Sequence, residues 1–152
     1  MKLEREAGPA SPAGPENAAA AAVMELRPAT AADLDQVLPL VADFYAAFGF
    51  PWDAGRKRAL LAGLVEQPAW GALWLIETGG QIAGYVLVAH HFSLEFDGRV
   101  GLVDEFWIAA PHRGRGIGGR ALELLAERLQ QSGIRTLRLE VAASHADTAA
   151  LY

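Results

Sequence analysis

The run Arg113-Gly114-Arg115-Gly116-Ile117-Gly118-Gly119-Arg120 constrains this chain more than any other stretch. It stands between an apolar segment, Leu102-Val103-Asp104-Glu105-Phe106-Trp107-Ile108, and a helical pattern that begins near Gly118. Glycines at the mouth of a helix let backbone N–H groups approach a phosphate, and the helix dipole favours the negative charge. Three arginines and no acid lie within 112–120, so this stretch is locally positive although the whole chain carries −5. The combination reads as a site for a phosphorylated ligand.

Three glycine-loop readings compete. A P-loop needs Lys-Ser or Lys-Thr after its glycines, and neither is present. A dinucleotide fingerprint, G-x-G-x-x-G, matches Gly114, Gly116 and Gly119, with Glu140 as the acid some 20 residues further on. Against it, residues 109–113 separate the glycines from their strand, only 33 residues follow Gly119, and Arg115 sits inside the motif. The third reading is R-x-x-G-x-G, carried by Arg113, Gly116 and Gly118.

On that third reading the chain resembles the GNAT superfamily of N-acetyltransferases. The family has a strand ending in an aliphatic residue, a short proline-containing turn, then [Q/R]-x-x-G-x-[G/A] opening a helix. Here the corresponding run is Phe106 to Gly118, with Pro111 two residues before Arg113 where the family usually has three. A second match is independent. The family's Leu-Glu-Val strand end and N-x-x-A-x-x-L-Y helix correspond to Leu139-Glu140-Val141 and to residues 145–152. There His145 replaces Asn, Thr148 replaces Ala, and Leu151-Tyr152 is retained.

The resemblance covers about 24–152. It implies an α/β fold of the mixed α+β kind: a mixed, mostly antiparallel sheet flanked by helices, in the order β-α-α-β-β-β-α-β-α. It also implies acetyl-CoA as cosubstrate. The main-chain groups of Trp107 and Ile108 would pair with the pantetheine arm. The loop amides of Gly114, Gly116, Ile117 and Gly118, with Arg113 and Arg115, would hold the phosphates. Tyr152 matches the family's general acid, which protonates the leaving thiolate. Glu105 is the first candidate for the base, with Asp104 and Glu140 as rivals. The function implied is acetyl transfer to a primary amine of a small molecule or peptide. The alternative is a catalytically silent acyl-CoA-binding regulatory module.

The residues themselves give the same element order. A strand spans 24–28, and Thr30-x-x-Asp33 forms a capping box ahead of a helix. That helix has Leu34, Val37, Leu38, Val41, Phe44 and Phe48 at helical spacing. Pro39 falls inside it and should bend it. Asp53 caps a second helix with a stripe of Leu60, Leu61, Leu64 and Val65. Phe48, Phe50 and Trp52 read as a hydrophobic plug between the two helices, while the resemblance implies that they line an acceptor pocket. Gly79-Gly80 turns a hairpin between strands at 72–78 and 81–90. A strand at 99–109 has apolar residues of both parities, so both sheet faces should be covered. A helix at 116–131 precedes a strand at 136–141.

At 152 residues the chain is one domain by default. Residues 1–23, rich in Pro, Gly and Ala, read as a tail, and 24–152 as a domain without the family's last strands. The last strand should then have a bare edge, and the chain should either pair edge to edge with a second copy or be a fragment of weak activity. The absence of cysteine excludes disulfides and thiolate chemistry. The acidic balance argues against nucleic acid. No apolar run reaches a membrane span, and a cytoplasmic location is expected. The four histidines have no metal-ligand spacing.

Overall fold

The computed structural model of the chain describes residues 2–4 and 23–140. Six strands form one sheet in the order β1-β6-β5-β4-β3-β2. The strands are β1 (Lys2–Glu4), β2 (Met24–Pro28), β3 (Gly71–Thr78), β4 (Gln81–Ser93), β5 (Gly98–Ile108) and β6 (Thr136–Leu139). β2, β3, β4 and β5 run antiparallel in succession, while β6 is parallel to β5 and to β1. Helices α1 (Leu34–Phe48) and α2 (Ala54–Glu66) connect β2 to β3, and α3 (Ile117–Gln131) carries the crossover from β5 to β6. Gly79 and Gly80 both hold positive φ, 58° and 75°, as a two-residue hairpin turn requires.

Two apolar clusters cover the two sheet faces. α3 buries Ile117, Ala121, Leu122, Leu125 and Leu129 against Val86, Val88, Val103 and Phe106. α1 buries Leu34, Val37, Val41 and Phe44, and α2 buries Leu61, against Leu73, Leu75 and Tyr85. The mixed parity of β5 is thus explained by cover on both sides. In α2, Leu60 departs from the expected stripe and faces solvent, 58% exposed. Pro39 stands inside an unbroken α1. It lies on the exposed face, beside an exposed Asp35, so water can satisfy the carbonyl that loses its N–H donor.

Local chemistry fixes the helix entries. Asp53 caps α2 by accepting from the Arg56 N–H at 3.0 Å. The Thr30–Asp33 capping box is present: the Asp33 carboxylate accepts the Thr30 N–H at 2.7 Å and the Thr30 hydroxyl at 3.1 Å, and a 3₁₀ turn at Ala31–Asp33 leads into α1. The same carboxylate takes a two-pronged grip from Arg27, at 2.8 and 2.9 Å, and Arg27 also reaches Glu77 at 2.9 Å. The guanidinium holds Asp33 well below the usual carboxylate range. This cluster ties β2, β3 and the start of α1 together.

One expectation is corrected. β6 was to have a bare outer edge, but Lys2, Leu3 and Glu4 pair in parallel with Thr136, Leu137 and Arg138. The chain's own backbone satisfies that edge, as buried or half-buried amides demand. Val141, His145, Thr148, Leu151 and Tyr152 lie outside the described residues. No helix among the described residues is long and apolar enough to cross a membrane.

Candidate active site

The site begins with an irregularity in β5. Leu87 of β4 faces Glu105, while Val88 faces Val103, so Asp104 has no partner in β4. This extra residue is a β-bulge, and it switches the side-chain parity of the strand. Val103 points towards α3, and beyond the bulge Phe106 does so too. Glu105 and Trp107 therefore point to the opposite face, towards α1 and α2. If Val103, Asp104 and Glu105 alternated regularly, Glu105 would share the face of Val103 and point to α3.

Glu105 is 9% exposed. Tyr45 of α1 donates its hydroxyl to Oε1 at 2.8 Å, and Tyr85 of β4 donates to Oε2 at 2.9 Å. Burial raises the Glu105 pKa above its ordinary value, and the two hydroxyls only partly oppose this. Both tyrosines are themselves pushed well above the usual phenol range, by burial first and then by Glu105. They stay protonated and remain donors. A carboxylate held this way can accept a proton near neutral pH.

The rivals differ in setting. Asp104 is exposed at the bulge, and its charge acts on Glu105. Glu140 is exposed and lies 3.9 Å from Arg138. Neither has the buried, hydrogen-bonded environment of Glu105. The tyrosine pair was not singled out in the sequence. Tyr45 and Tyr85 sit at core-like positions of a helix and a strand, and only the bulge brings both onto one carboxylate.

The glycine loop sits at the other end of β5. After a 3₁₀ turn at Ala110–His112, Gly114 and Gly116 adopt left-handed backbone conformations with φ of 73° and 75°. Gly116 is the N-cap of α3 and offers no side-chain cap, so among the described residues the first-turn N–H groups of the helix have no such partner and can meet an external anion. Gly118 has a different task. A Cβ there would lie 3.3 Å from the Phe106 ring, so its bareness brings α3 close to β5. Arg115 is exposed. Arg113 folds back: its Nε donates to the Ile108 carbonyl at 2.8 Å, and its guanidinium lies 4.3 Å above the Trp107 ring. The Trp107 Nε1 is buried without a hydrogen-bond partner among the described residues.

β5 and β6 pair only from Val100–Thr136 to Val103–Leu139. From Asp104 to Ile108, β5 has no strand beside it on that side among the described residues. An extended ligand can run along this free edge, while its phosphates meet the uncapped start of α3 and the arginines. The residues present therefore fit a nucleotide thioester such as acetyl-CoA. Among the described residues there is no His, Asp and Glu cluster that could hold a metal ion.

A profile of the Acetyltransferase (GNAT) family matches residues 37–152. The chain belongs to this family. Comparison with curated protein sequences gives no match. Among solved structures, integron cassette protein HFX_CASS3 from the mobile metagenome of Cole Harbour Salt Marsh superposes with a TM-score of 0.73. It is 29% identical over 80% of this chain and 79% of that one. A ribosomal-protein-alanine N-acetyltransferase from Brucella melitensis biovar Abortus 2308 has a TM-score of 0.70 at 22% identity, covering 85% and 87% of the two chains. A predicted acetyltransferase from Clostridium acetobutylicum, solved with acetyl-CoA, has a TM-score of 0.66 at 16% identity, covering 80% and 82%. The last two establish the shared fold.

Proposed function

We propose that the protein transfers an acetyl group from acetyl-CoA to a primary amine, with Glu105 as the base. The observation that carries this reading is the buried Glu105 carboxylate, pinned by Tyr45 and Tyr85 beside the strand end that opens into the uncapped α3.

Acetyl-CoA supplies the acetyl group as a thioester. The chain's residues do the rest. The α3 amides and Arg115 bind the phosphates, and the free edge of β5 near Trp107 and Ile108 orients the arm. Glu105 takes a proton from the acceptor's ammonium, directly or through water. The freed amine nitrogen then bonds to the acetyl carbon as the carbon–sulfur bond breaks. Tyr152, matched to the family's acid by its Leu-Tyr motif, gives the departing sulfur its proton. The nitrogen, cationic after the attack, gives up a second proton, so of its two protons one is matched by the proton sulfur gains and the other leaves to solvent through Glu105.

A thermal-shift panel with acetyl-CoA, CoA, NADH and ATP tests the ligand. At about 100 times Kd, binding stabilises the fold by about 2.7 kcal/mol, and acetyl-CoA and CoA are expected to raise the melting point. A shift with NADH and none with CoA would overturn the reading.

A further inference from the structure

Beside Glu105 lies a cluster of aromatic rings, named here the aromatic cup. Tyr45 contacts Phe50 and Trp52, with centroids 5.7 and 5.4 Å apart, and Phe50 stacks on Phe48 at 6.0 Å. Phe50 is 50% exposed and Trp52 37%, so the cup opens to solvent. Large apolar side chains left in the open around a buried carboxylate are unusual for packing alone. The Tyr45 ring forms the wall, and its hydroxyl reaches the carboxylate.

One side chain already places a cation on these rings. The Lys57 ammonium of α2 lies 4.7 Å from the centroid of the Tyr45 ring. No carboxylate among the described residues pairs with it. A primary ammonium at the end of an alkyl chain thus rests on an aromatic face next to Glu105. That is the geometry a substrate ammonium needs before it gives up its proton, and aromatic faces attract such cations. The rings around it would receive an apolar body. Asp104 and Glu105 set a negative field that favours a cation and repels an acid.

We propose that this cup is the acceptor site, that it takes a primary ammonium carried on an apolar body, and that Lys57 holds the cation seat when no acceptor is bound. The proposal rests on Glu105 as the base of an acetyl transfer. Lys57 then competes with the substrate, while Trp52 and Phe50 set its specificity.

The test is a calorimetric titration with 2-phenylethylamine as probe, with 3-phenylpropionate as its acidic counterpart, in wild type, Lys57→Met and Trp52→Ala. Acetyl transfer is followed in parallel with 2-phenylethylamine and spermidine. The amine is expected to bind and the acid not to. Lys57→Met should tighten amine binding several-fold, and Trp52→Ala should weaken it by about ten-fold. Equal binding of the acid, weaker binding in Lys57→Met, or no amine binding to either wild type or Lys57→Met overturns the proposal. Transfer to spermidine with no binding of 2-phenylethylamine overturns this acceptor class and keeps the acetyltransferase. Binding that follows the expected pattern without any transfer supports the cup and counts against the transfer reading.

Discussion

Arg113 lies over the Trp107 indole, 4.3 Å from its centroid, and holds the Ile108 carbonyl at 2.8 Å. An arm pairing with β5 would compete for that carbonyl. A guanidinium that turned to the phosphates would give up both contacts. Arg115 is exposed and has no such ties among the described residues.

The two arginines should therefore differ. Arg115→Ala is expected to weaken CoA binding by about ten-fold at low salt, with the loss shrinking at 0.5 M salt as screening grows. Arg113→Ala should cost less, since the wild-type side chain must first leave Trp107. Calorimetry at two salt concentrations checks both. Equal losses that do not depend on salt would contradict the phosphate role.

Glu105 should govern the pH profile. Its raised pKa places the acid limb of the rate above the ordinary glutamate range. Glu105→Gln should lower kcat by ~10²-fold near neutral pH and flatten that limb. Tyr85→Phe removes the donor to Oε2 and should shift the limb to higher pH without removing it. CoA release measured from pH 5 to 9 separates the two. Among the described residues the groups acting on Glu105 are Tyr45, Tyr85, Asp104 and Lys57, so Lys57→Met should also move the limb upwards.

Stability has opposite pH trends at two carboxylates. Asp33 has a depressed pKa, so its contribution is full above the unfolded value, near 3.9, and fades as pH falls towards the folded one. Asp33→Asn should lose about 1–2 kcal/mol at pH 7, within the range for charge-assisted hydrogen bonds. This is discounted because the Arg27 side chain is 38% exposed. The variant should also lose part of the acid dependence. Glu105 is the reverse. Its raised value means that ionisation in the fold costs stability once pH exceeds about 4.3. Glu105→Gln should be at least as stable as wild type at pH 8. Urea melts across pH check both signs.

The glycines of the loop should separate by role. Gly116→Val forces a side chain into a left-handed residue, at about 1–2 kcal/mol, and should weaken CoA binding by ten-fold or more. Gly118→Ala meets the Phe106 ring and should lower the melting temperature through packing, with a smaller effect on CoA. Unchanged CoA affinity in folded Gly116→Val would remove the loop from the binding site.

Much of the framework was legible in the chain. The Gly79-Gly80 turn, the α1 stripe and the Asp53 cap depend on local spacing, and local spacing is visible in a sequence. Glu105 was marked by the family resemblance, on the strand that leads into the glycine loop. Its partners were not, because Tyr45 and Tyr85 lie 60 and 20 residues away and meet it only across the sheet. Leu60 misled because a helix stripe shows which residues are apolar, not how wide the buried face is. The bulge at Asp104 left no signal, since a one-residue surplus in an apolar run changes no propensity.

That surplus bears on how the protein tolerates a shortened strand. Removing Asp104 would set Glu105 directly after Val103, still pointing away from α3, and both halves of β5 would keep their partners in β4. The ladder is complete without it. What the spare residue alters is the outline of the sheet, at the place where β6 stops following β5. A chain one residue shorter should thus fold with the same core and the same aligned carboxylate. It would lose only the local bend and added twist that a bulge gives a strand, at the residue where the described pairing with β6 ends.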